Sequence, residues 1–173
     1  MGFGRLYAKK CGEEGMTSVG KEKKSGKVVC CMLSEDLVTQ EPAGLDKTLT
    51  DKLHKILSTL PLLDQKSDYL KRHSIPNEKG HVFHLWCLAV HPDFGRRGLG
   101  AAVVTHNLKL GRQLGFTHAR VETTGNFSAK IFTASGFKVE VELEYNSMKT
   151  AEGANYFTGM DDHRFLRLLW RQL

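Results

Sequence analysis

The stretch that most limits how this chain can fold is "HVFHLWCLAVHPDFGRRGLGAAVVTHNLKLGRQL", residues 81–114. Its first twelve residues are almost unbroken apolar and β-favouring, as in a strand buried on both faces. A loop with Gly95, Gly98 and Gly100 follows. A periodic run, Leu99, Val103, Leu110 and Leu114, then predicts a helix stopped by Gly115. A strand that passes through such a loop into a helix leaves main-chain N–H groups unpaired where the helix dipole is positive. The glycines let a bulky anion approach the backbone, and Arg96 and Arg97 add charge-assisted donors. The spacing is neither GxxxxGK[ST] nor GxGxxG with its following acidic residue, which leaves a pyrophosphate held without metal.

The rest of the chain reads as one mixed α/β (α+β) domain over residues 1–173. Residues 16–37 predict a hairpin turning at Lys24-Ser25-Gly26. Leu45, Leu49, Leu53, Ile56, Leu57 and Leu60 predict a helix over 45–60 closed by Pro61, with a second short helix around 62–72. Strands are expected over 116–124 and 137–145, and between them a short helix ended by Gly136. The tail "HRFLRLLWRQL" suits strand or helix equally. No apolar run reaches the ~20 residues needed to cross a bilayer, and the N-terminus lacks a signal-peptide core, so the expected address is the cytosol. The formal charge of +6 fits an anionic small ligand, and no nucleic-acid-binding motif accompanies it. Cys11, Cys30, Cys31 and Cys87 form no framework and read as free thiols.

Two blocks, "LAVHPDFGRRGLGAA" and "NFSAKIFTASGF" (126–137), together resemble the pyrophosphate loop and second signature of the GNAT N-acetyltransferase superfamily. Within it, "LHKILSTLPLLDQKSDYLKRH", "ETTGNFSAKIFTASGF", "LEY" and "DDHRFLRLLWRQL" are similar to arylalkylamine N-acetyltransferases of insects and other invertebrates. "HLWCLAVH" is similar to a strand of vertebrate serotonin N-acetyltransferase. The resemblance covers residues 16–173 and is strongest over 81–137. It implies a mixed, mostly antiparallel central sheet flanked by helices. It also implies acetyl transfer from acetyl-CoA to a small primary amine such as tryptamine, serotonin or dopamine, by direct attack in a ternary complex.

On the resemblance, Leu88, Ala89 and Val90 pair with the pantetheine arm. Gly95, Arg96, Arg97, Gly98, Leu99, Gly100 and Ala101 hold the pyrophosphate, while Asn126 and Phe132 flank the thiol end. His84 is the candidate base, its neutral form near pH 7 suiting the task. Trp86 stands where a second histidine would complete a relay. Phe132 replaces an acid-acting tyrosine, so the acid role passes to Ser128, Thr124 or solvent. Each has a plainer reading, His84 as a satisfied strand histidine and the two hydroxyls as helix caps. The family's opening strand and two helices, which carry an acidic catalytic residue, have no expected counterpart in "GFGRLYAKKCGEEG". The alternatives are therefore a non-catalytic acyl-CoA-binding protein, or an acetyltransferase for polyamines or protein amines.

Overall fold

Apolar alternation along the chain builds six strands: β1 (Ser18–Lys21), β2 (Val28–Asp36), β3 (Val82–Val90), β4 (His118–Thr123), β5 (Lys138–Glu144) and β6 (Phe165–Gln172). In this computed structural model, which describes residues 2–160 and 162–173, they form one sheet in the order β1-β2-β3-β4-β6-β5. Neighbours are antiparallel except β3 and β4, which are parallel and joined through the helix α5 (Leu99–Gln113). The tail is thus a strand, and it inserts between β4 and β5.

Helices cover both faces of the sheet. α5 and α6 (Asn126–Ala134) enclose a core of Met32, Phe83, Leu85, Val104, Phe132 and Leu169. The other face carries α1 (Phe3–Glu13), α2 (Asp51–Leu57), α3 (Leu60–Lys66) and α4 (Tyr69–Arg72), over Leu33, Leu63, Val82, Leu168 and Trp170. Buried Asn107 fastens α5 to the hairpin: its amide donates to Ser18 Oγ and Met16 O, both at 3.0 Å, and its oxygen accepts from Ser34 Oγ at 2.6 Å. No helix among the described residues is long and apolar enough to cross a membrane.

Four expectations change. The single helix over 45–60 is broken into a 3-10 turn and α2, and Pro61 opens α3 rather than closing its predecessor. Proline lacks an N–H, so the first turn of a helix tolerates it. The buried stripe of α5 runs through Val103, Val104, Asn107, Leu108 and Gly111, leaving Leu114 exposed. β3 is buried on both faces only over Val82, Phe83, His84 and Leu85; its second half alternates. Residues ahead of the hairpin, expected to hold no counterpart of the family's opening elements, form the helix α1.

Candidate active site

β3 and β4 run together over only three residue pairs: Val82 with His118, Phe83 with Ala119, and His84 with Arg120. Beyond these β3 stays with β2 and β4 stays with β6, so a wedge opens between them. A β-bulge lies where the opening begins. Leu33 and Ser34 face Cys87 and Leu85, which makes Trp86 the extra residue. Bulges bend a strand and re-aim its side chains. Here the Trp86 ring stacks on Tyr7 of α1, with centroids 5.0 Å apart, and meets His84 edge-on at 5.5 Å.

The vertex of the wedge holds an alternating chain of charge. Opposite to the core-facing Phe83, Leu85, Ala119 and Val121, strand alternation presents His84, Arg120 and Glu122. His84 Nε2 is 2.7 Å from Glu122 Oε2, and its Nδ1 is 3.2 Å from Glu35 Oε1. Glu122 Oε1 accepts from Arg120 at 2.6 Å, and Arg120 Nη2 reaches Asp64 of α3 at 2.7 Å. The remaining oxygen of Glu35 accepts from Lys10 of α1. Buried charges survive in this setting because each has an opposite partner.

Burial alone would lower the His84 pKa, but Glu122 and then Glu35 override it and push it up to about 9. Against the opposing effect of burial, His84 holds Glu122 and Glu35 below the usual carboxylate range, helped by Arg120 and Lys10 respectively. At neutral pH His84 is therefore an imidazolium with both nitrogens donating. The expectation of a neutral His84 near pH 7 is corrected on this ground. A cavity of about 280 Å³ opens on these groups. Tyr7, Trp86, Leu45, Leu57 and Leu60 give it aromatic and apolar walls, and Glu41 and Asp64 add carboxylates.

The glycine loop lies at the start of α5. Gly95 N donates to Pro92 O and Ala102 N to Gly98 O. Among the described residues no protein acceptor meets the nitrogens of Arg96, Arg97, Gly98, Leu99, Gly100 or Ala101. Arg96 (φ 59°) and Gly98 (φ 75°) are both left-handed, an uncommon setting for arginine. Two of the expected contacts are engaged within the loop, and Gly100 has a second role. Gly95 has its amide engaged within the loop. Arg97 is folded back, donating to Asp93 O at 3.0 Å and lying over the Phe94 ring. Gly100 does more than admit an anion, since a Cβ there would lie 3.0 Å from Ile131 of α6.

The other predicted residues are dispersed. Leu88 and Val90 pack half-buried against the core while Ala89 is exposed. Phe132 is 1% exposed and lies edge-on to Phe137, so it serves the core and does not flank an open groove. Asn126 is tied to the C-terminal segment: its side-chain amide donates to Asp162 O, its oxygen accepts from Arg167, and its N–H donates to His163 Nδ1. Ser128 Oγ donates to Gly125 O, and neither hydroxyl caps α6. Thr124 is exposed, two residues past Glu122, with its carbonyl accepting from Tyr145 Oη. Sequence reading missed Lys10, Glu35, Arg120, Glu122 and Asp64. The available signal was a charged residue at an inward position of a strand, at Glu35 and again at Arg120 and Glu122.

Residues 68–137 match the Acetyltransferase (GNAT) family, and no curated protein matches the chain. Among solved structures, arylalkylamine N-acetyltransferase 2 from Aedes aegypti superposes with a TM-score of 0.81 at 18% identity, over 95% of this chain and 76% of that one. Mosquito arylalkylamine N-acetyltransferase like 5b gives 0.74 at 24% identity, over 93% and 76%. A Drosophila melanogaster polyamine N-acetyltransferase, described as forming N-acetylagmatine, gives 0.75 at 22% identity, over 95% and 78%. The split sheet with its glycine loop is thus an acetyltransferase fold. Residues 68–137 thus carry the match to that family, and the fold of the chain resembles that of the insect arylalkylamine N-acetyltransferases.

Proposed function

We propose that this protein transfers an acetyl group from acetyl-CoA to a small primary amine, an arylalkylamine such as tryptamine, serotonin or dopamine, by direct attack in a ternary complex. The wedge carries this reading: it joins unpaired amides at residues 96–101 to an aromatic-walled, carboxylate-lined cavity at its vertex. Those amides suit a pyrophosphate, and the free edge of β3 at residues 88–90 suits an extended arm bearing amides. The residues present therefore fit acetyl-CoA, which when bound supplies the acetyl thioester.

Tyr7, Trp86 and the leucines around them would pack an aromatic ring. Glu35, kept ionised by His84 and Lys10, binds the ammonium, and the amine's proton passes to solvent, since His84 cannot accept one while charged. His84, anchored on Glu122, positions Glu35. Thr124 is the exposed hydroxyl left to donate a proton. Four free cysteines, one of them exposed, suit a reducing compartment, and we place the protein in the cytoplasm.

A second reading, transfer to a polyamine or agmatine, has its own support. Glu41 and Asp64 add negative charge to the cavity, and the polyamine enzyme is among the similar structures. Purified protein with acetyl-CoA and, in turn, tryptamine, serotonin, dopamine, spermidine and agmatine decides the matter by thiol release. Faster turnover of the aromatic amines is expected. Faster turnover of spermidine or agmatine selects the second reading. Acetyl-CoA binding with no turnover supports a non-catalytic acyl-CoA-binding protein, and no binding removes every reading given.

A further inference from the structure

Lys10 is a primary amine held against two residues of the cavity wall, Glu35 and Tyr7, without lining the cavity itself. Its ammonium donates to Glu35, the carboxylate that also meets His84, and lies 6.0 Å from the centroid of the Tyr7 ring. Tyr7 and Glu35 both line the cavity. A carboxylate beside an aromatic face is what an alkylammonium seeks, through an ion pair and a cation–π contact. Lys10 also has a second seat within reach. Glu14, four residues on and just past the end of α1, lies 3.2 Å from the same ammonium and stays more open to water, at 28% against 8% for Glu35. Glu14 is fixed in turn by Thr39 Oγ1 at 3.2 Å. Lys10 can therefore leave Glu35 without losing an anionic partner.

We propose that Lys10 is a tethered stand-in for the acceptor amine, seated on Glu35 when the cavity is empty and displaced toward Glu14 when an amine enters. The inference rests on the reading of this cavity as the amine site. It makes Glu35 and Tyr7 the ammonium subsite and Lys10 its internal competitor, so the weakness or strength of amine binding is set partly from α1. A competitor removed leaves the subsite free, and a competitor denied its second seat holds the subsite more firmly. The two changes must move affinity in opposite directions, which a purely structural lysine would not do.

The test is calorimetric titration of tryptamine, and separately of agmatine, into the wild-type protein, Lys10→Met, Lys10→Arg and Glu14→Gln. Acetyl-CoA affinity and the far-ultraviolet spectrum serve as folding controls. Lys10→Met should bind amine about tenfold more tightly, the loss of one charge-assisted competitor. Lys10→Arg should stay near wild type, and Glu14→Gln should weaken binding about threefold. Unchanged or weaker binding in Lys10→Met with acetyl-CoA affinity intact overturns the proposal, as does absence of amine binding in every form. Should Lys10→Met fail to fold, unchanged affinity in Glu14→Gln overturns it alone. Amine affinity that follows these predictions without acetyl transfer keeps the stand-in and sinks the acetyltransferase reading. Turnover with affinity indifferent to both residues does the reverse.

Discussion

Between Glu35 and Glu122 the His84 ring acts as a counter-ion, and this has a sign that can be measured. Its folded pKa of about 9 stands above the ordinary 6.5. The His84 contribution to stability is therefore fully present below about pH 6.5 and is lost as pH rises through about 9. Glu35 and Glu122 behave oppositely, contributing above their ordinary 4.5 and losing the contribution as pH falls through their lowered values. Urea denaturation between about pH 6 and about pH 10 should show declining stability in the wild type and a flatter profile in His84→Gln. Parallel declines would reject His84 as the group concerned. The sequence showed His84 because a histidine inside an apolar strand is conspicuous. It concealed what surrounds it, since Glu35, Arg120 and Lys10 come from three segments far apart in the chain and only the folded sheet brings them together.

The strand, loop and helix from 81 to 114 were legible because their periods and glycines are local signals. What the loop demands of its glycines is conformational. At Gly98 a Cβ would meet nothing within 4 Å, but φ of 75° strains any residue with a side chain. Gly98→Ala should cost about 1 kcal/mol of stability and weaken acetyl-CoA binding, whereas Gly98→Asn, better suited to left-handed backbone, should lose less of both. Equal effects of alanine and asparagine, by calorimetry and thermal denaturation, would place the constraint elsewhere. Other elements were harder to read. α1 has an apolar face of Leu6, Tyr7 and Cys11, but it is short and flanked by glycines that resemble a loop. Pro61 marks a helix boundary in either direction, and only the chain on both sides decides which. The insertion of β6 between β4 and β5 is a long-range pairing without a local signature.

The whole molecule consists of two half-sheets, β1-β2-β3 and β4-β6-β5, joined by three residue pairs and by the charge chain that crosses them. A ligand lying in the wedge would touch both halves. Acetyl-CoA at about one hundred times its dissociation constant should therefore stabilise the fold by about 2.7 kcal/mol. Amide exchange should slow in both halves together, at residues 85–90 and at β4, and slowing confined to residues 96–101 would show that only the loop is engaged. The parting of β3 from β4 has one more consequence. A sheet that divides in its interior keeps a ribbon edge where most proteins keep only side chains, so a guest there completes the sheet as a missing strand would. An extended peptide-like compound without any nucleotide should then compete for the same berth.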